Sequence, residues 1–173
     1  MQLGMSESAR FSTAEEARFR IAYPNSRPRK SRIIALDAAS AEALRDLSGR
    51  TWNDAHFLRY VEPKTVSDTL HMLPVDAVLE DMDGKRANLV DEISDADVIV
   101  MVTTAGVVAE PAEVIGNACF VRHKLATGLV LSSPDVPCEV LARTLATMRP
   151  YAGMLVISNG GEYVSEMLSA LRV

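Results

Sequence analysis

The sequence predicts an α/β protein: a doubly wound, Rossmann-like or flavodoxin-like, mostly parallel sheet with helices on both faces and one small β-hairpin. Three observations carry that expectation. From Ser31 onward, short apolar runs alternate with stretches of helical period, as in successive strand–helix units. Residues 97–102 are apolar almost without interruption, the mark of a strand covered on both faces. Asp83-Gly84 separates two apolar stretches, the signal of a type I′ hairpin turn.

Residues 1–30 read as a basic N-terminal arm and residues 31–173 as a single α/β domain. In the arm, Thr13 and Glu16 are spaced as a capping box opening a short helix. Phe19, Ile21 and Tyr23 then alternate with polar or small residues, the period of an edge strand. Pro24 and Pro28 break the chain after it.

Within the domain, residues 32–36 form the first strand, ending at Asp37. The helix over 39–47 buries Ala43, Leu44 and Leu47 and stops at Gly49. Residues 56–61 make a second strand, 66–72 a short helix closed by Pro74, and 77–90 the hairpin. Strand 97–102 leads into a helix over 110–120 that buries Val114, Ile115, Ala118 and Cys119. Strand 127–131 leads into a helix over 137–148, with Val140, Leu141, Leu145 and Met148 inward. Strand 153–157 precedes a last helix over 161–171, whose Val164, Met167, Leu168 and Leu171 share one face. The expected core is Ile33, Ile34, Val98, Val100, Leu129, Leu131, Leu155 and Ile157.

With 173 residues, 48% hydrophobic and 24% charged, the chain can bury a substantial core and is not of the disordered class. Cys119 and Cys138 are too few and too far apart for a disulfide scaffold and read as reduced thiols filling core space. No apolar run has membrane-spanning length, and the N-terminus lacks the apolar stretch of a signal peptide, so the expected setting is the cytoplasm.

Charge is uneven: residues 1–32 carry +4 and the remainder −9. Such an arm could neutralise phosphates. An acidic body and an aromatic content of only 5% argue against nucleic acid. The arm is instead expected against an acidic surface of a second copy, giving a homodimer. Phe11, Phe19, Ile21 and Tyr23 are costly to leave in water, and symmetric dimers are the commonest way to cover such surface.

In sheets of this kind ligands bind beyond the carboxyl ends of the strands, where strand order reverses. Here that is the crevice between Asp37 and Thr103. The candidate ligand-binding residues are Thr103, Thr104 and Gly106 after one strand, Asn159, Gly160 and Gly161 after the last, and Asp37 and Ser40 at the margin. Hydroxyls, glycine backbone and helix N-termini suit an anionic small molecule carrying phosphate or carboxylate. Each group also reads as an ordinary strand end, turn or helix cap, and Asp37 in particular as the cap of the helix it precedes.

The Gly-x-Gly-x-x-Gly fingerprint and the Gly-Lys-Ser/Thr phosphate loop are absent, which argues against a nicotinamide enzyme or P-loop NTPase. Asp37-Ala-Ala-Ser40 stands where a flavodoxin carries its Gly-rich loop, so the sequence names no cofactor. Asp37 is the sole acid–base candidate.

No metal site is expected. His56, His71 and His123 form no i, i+4 pair. A calcium loop starting at Asp81 and ending at Glu92 fails, with Lys85 at a ligand position and Arg86 where glycine is required. No Ser/His/Asp or Cys/His set supports acyl transfer. Two classes of function remain: a small-molecule-binding α/β protein, and a non-catalytic assembly or regulatory subunit.

Overall fold

The computed structural model describes residues 29–61, 77–159 and 161–170. In order the elements are β1 (Ser31–Ala35), α1 (Ala38–Ser48), β2 (Ala55–Val61), β3 (Val78–Asp81), β4 (Arg86–Asn88) and α2 (Leu89–Asp95). There follow β5 (Val98–Thr104), α3 (Pro111–Val121), β6 (Leu125–Ser132), α4 (Cys138–Met148), β7 (Met154–Asn159) and α5 (Gly161–Ala170). The seven strands form one sheet in the order β4-β3-β2-β1-β5-β6-β7. Pairing is parallel from β2 through β1, β5 and β6 to β7, and antiparallel for β2–β3 and β3–β4. The protein is thus a mixed α/β fold on a mostly parallel sheet.

Alternating side chains send the strands' apolar residues to two separate cores. On one face Ile33, Val98, Val100, Val102 and Leu129 pack with Leu44 and Leu47 of α1 and Val164 and Leu168 of α5. On the other, Ile34, Ile99 and Met101 meet Leu89 and Ile93 of α2, Ala112 and Ile115 of α3 and Met148 of α4. The central pair β1–β5, in register Ile33↔Val100 and Ile34↔Met101, is buried on both faces.

Several expectations are corrected. Ile157 is 43% exposed and Leu155 half-buried, because among the described residues β7 is an edge strand with only β6 beside it, and Leu131, near the end of β6, is half-buried too. Cys119 is buried, but Cys138 opens α4 in solvent and is not a core residue. On α4 the buried positions are Thr144 and Met148, while Val140, Leu141 and Leu145 are half-buried. The N-cap of α4 is Pro137, without a side-chain bond.

The hairpin turns at Asp81–Lys85 by another route than type I′. Gly84 N–H donates to Asp81 O, Asp81 N–H donates to Lys85 O, and only Gly84 has positive φ (+87°). That is a type I turn closed by a left-handed glycine, a three-residue loop. Asp81 Oδ1 reinforces it by accepting from Asp83 and Lys85 N–H, which holds the carboxyl below its ordinary value. Leu89 and Val90 are not strand: Asn88 Oδ1 accepts from Val90 and Asp91 N–H and starts α2. The elements expected at 13–16, 18–23 and 66–72 lie outside the described residues.

Thr127 in β6 is fully buried, and its hydroxyl is the one buried side-chain polar atom among the described residues with no hydrogen-bond partner. Thr127→Val keeps the shape and removes the orphaned hydroxyl, so it should raise unfolding stability by about 1 kcal/mol in urea denaturation. A loss of stability would reveal a partner for that hydroxyl.

Candidate functional site

The β1–β5 crevice is built from the turn after β1. Leu36 N–H donates to Val102 O (2.8 Å), carrying the β1–β5 ladder to the sheet's carboxyl edge. Asp37 follows in extended conformation (φ −140°, ψ 169°) as N-cap of α1. Its Oδ1 accepts from Ser40 N–H (2.9 Å), while the Ser40 hydroxyl accepts from Asp37 N–H, closing a reciprocal capping box. The same carboxylate reaches across to β5. Oδ2 accepts from the Thr103 hydroxyl and from Thr104 N–H, both at 2.9 Å, and Oδ1 from the Thr104 hydroxyl at 3.1 Å. Burial alone would raise the Asp37 pKa; the bonds from Ser40, Thr104 and Thr103 outweigh it and hold the carboxyl below its ordinary 3.8.

Four of the eight candidate residues therefore converge: Asp37, Ser40, Thr103 and Thr104. Gly106 belongs to a different contact. Its N–H donates to Thr144 Oγ1 (2.9 Å), whose hydroxyl donates to Val107 O (2.9 Å), fastening the loop after β5 onto α4. Gly106 has φ +98°, and a Cβ there would stand 3.2 Å from Val140 Cγ1, so glycine answers to backbone and packing. Asn159 ends β7 in register with Ser132, two strands from β5 and thus about 10 Å away laterally. Gly161 begins α5, and Gly160 lies outside the described residues.

A cleft of about 330 Å³ adjoins the crevice at the ends of β1 and β2, lined by Leu36, Asp37, Ala38, Ala41, Arg59, Tyr60 and Val61. Arg59 leans toward β3, where its guanidinium pairs with Glu80 (Nε to Oε2, 3.1 Å). Sequence reading missed this cleft, because the Arg59–Glu80 pairing arises only from the antiparallel register of β2 and β3.

A second cluster missed by sequence reading sits at the amino end of β1. Arg32 is 6% exposed, and its Nε donates to Glu92 Oε2 (2.5 Å) and its Nη2 to Asp95 Oδ2 (3.0 Å). Glu92 also meets His56 Nδ1 (3.1 Å). Lys30 donates its N–H to Asp97 and its ammonium to Asp95, which holds the Asp95 carboxyl below its ordinary value.

Glu92 is thus an ion-pair partner and Asp81 a turn residue. His123 is exposed in a left-handed turn (φ 53°), and His71 lies outside the described residues. Among the described residues no three His, Cys, Asp or Glu side chains gather as metal ligands. Burial pushes the Cys119 thiol up to about 12, far from reactive thiolate, despite Arg122 and Lys124 nearby. No described helix is long and apolar enough to cross a membrane. No protein-family model matches the chain, and neither does any curated protein.

Proposed function

We propose that the protein is a non-catalytic assembly or regulatory subunit, a homodimer formed through its N-terminal arm in the cytoplasm. In this reading the β1–β5 crevice is a fastening. The observation that supports it is the Asp37 carboxylate, which already accepts from Ser40 N–H, Thr104 N–H and the hydroxyls of Thr103 and Thr104. A phosphate or carboxylate entering there would find its donors engaged and a fixed negative charge among them.

We infer further that the sheet is doubly wound in the flavodoxin-like manner. Counted alone, its parallel strands follow the order 2-1-3-4-5, with the β3–β4 pair extending one edge. In that arrangement β1–β5 is the switch point, so the fastening occupies the position where such folds bind ligands.

A second reading, a small-molecule-binding protein, is favoured by the cleft of about 330 Å³ beside Arg59 and Tyr60, within the size range of ligand pockets. Of the lining residues only Asp37 and Arg59 are charged, one of each sign, and Arg59 is already paired with Glu80, so the cleft offers no excess positive charge to select the anionic ligand expected from sequence.

Thermal unfolding separates the two. The assembly reading expects a Tm that rises with protein concentration and does not move with nucleotides, flavins, phosphosugars or polyamines. A compound that raises Tm by several degrees, with the shift abolished in Arg59→Ala, would overturn it in favour of the second.

A further inference from the structure

A groove of about 420 Å³ opens between the start of α3 and the end of α4, lined by Val108, Glu110, Glu113, Thr147, Pro150 and Tyr151 among others. Gly116 of α3 backs directly onto Tyr151, where a Cβ would stand 2.5 Å from the Tyr151 Cβ, so helix and loop are locked at the groove floor. Apolar surface continues beyond it. Helical spacing sets Phe120 one turn past Gly116, and Phe120 is 82% exposed; Val108, at the other end, is 58% exposed. Both glutamates are exposed, and neither has an ion-pair partner among the described residues.

We infer that this groove receives residues 18–23 from the arm of a second copy. The inference rests on the dimer proposed above and names where it forms. The sequence Arg18-Phe-Arg-Ile-Ala-Tyr23 complements the groove in both respects. In extended conformation Phe19, Ile21 and Tyr23 line one side, suited to the apolar walls, while Arg18 and Arg20 line the other. Their long side chains can bury their stems and carry the guanidinium groups to the rim carboxylates of Glu110 and Glu113.

The arm's own domain is a constrained host. Lys30 ties the chain to Asp97 and Asp95 at the end of α2. Only residues 24–28 separate Tyr23 from Arg29, a reach of roughly 20 Å when fully extended. Helix contacts run α2 to α3 to α4, so the groove lies more than one helix spacing of about 8–10 Å beyond α2. A neighbouring copy removes that constraint, as short hinges do when elements are exchanged between protomers.

The test uses the full chain and light scattering over a concentration series. The wild type is expected to dimerise. Glu110→Lys with Glu113→Lys, and separately Arg18→Glu with Arg20→Glu, should each weaken the dimer about ten-fold or more, and combining all four changes should restore most of the loss. Phe19→Ser should weaken it likewise. A wild type that stays monomeric throughout would overturn both this seat and the dimer reading. A dimer indifferent to the Glu110 and Glu113 changes, or not rescued by the combined swap, would overturn the seat and leave the dimer standing.

Discussion

Replacing Arg32 with methionine is expected to lower the free energy of unfolding by about 3–5 kcal/mol, the cost of breaking a buried ion pair from one side. The reason lies with the partner as much as with the arginine. Glu92 has 17% of its side chain exposed and takes its shortest bond from Arg32 Nε, so the substitution leaves a carboxylate that water reaches poorly with the half-exposed His56 ring in place of a guanidinium. The contact with Asp95 adds little, since that side chain is 60% exposed. Arg32→Met combined with Glu92→Leu should recover most of the loss, because an apolar pair of similar volume replaces charges whose burial was itself costly. Urea denaturation of both variants checks this. A single variant within 1 kcal/mol of wild type would mean that the pair does not anchor α2 to β1.

Asp37→Ala should cost about 3 kcal/mol, combining a lost N-cap of about 1 kcal/mol with hydrogen bonds to a charged acceptor. Thr103 is buried, so its hydroxyl loses its partner where water cannot easily replace it. Asp37→Asn should cost less, since one oxygen can still accept. The pH dependence carries the clearer signature. The folded Asp37 pKa lies below the ordinary 3.8, so the folded state holds its proton less readily than the unfolded chain does. Its contribution is fully present above the unfolded value and is lost as pH falls through the folded one. The gap in stability between wild type and Asp37→Asn should therefore be constant near neutrality and narrow below about pH 4. Taking the difference removes the contributions of Asp81 and Asp95, whose carboxyls are also held down. A gap that stays constant to pH 3 would refute the ionised carboxylate as the fastening.

What the sequence reveals and what it hides divide along physical lines. Strands buried on both faces, such as β5, and helices with a single apolar stripe, such as α1, are legible because burial sets their period. Asp37 as a helix cap is legible for the same local reason: the cap and Ser40 are three residues apart. Its bonds to Thr103 and Thr104 span 66 and 67 residues, and only the position of the crevice hinted at them. Arg32 is misleading in sequence because it continues a basic stretch, whereas its partners arrive 60 and 63 residues later. Asn88 with acidic residues in the following turn was a readable helix start, masked by the apolar pair Leu89-Val90. Thr144 sits within an apolar stripe, and nothing local says that its hydroxyl will be spent on the backbone of Gly106 and Val107. The exposure of Ile157 follows from strand order, which no local pattern encodes.

The sheet's central pair also sets a schedule for a chain emerging from the ribosome. β1 is translated before every other strand of the sheet, yet its inner neighbour β5 begins 67 residues later, the separation of Ser31 and Val98. At 5–20 residues per second, the nascent chain spends roughly 3–13 s with Ile33 and Ile34 lacking that neighbour. Until then β1 can pair only with β2, and the clasp at the carboxyl end of the β1–β5 seam, Asp37 to Thr103, stays open. The segment that becomes the most deeply buried is therefore the one left longest within reach of chaperones and of neighbouring nascent chains.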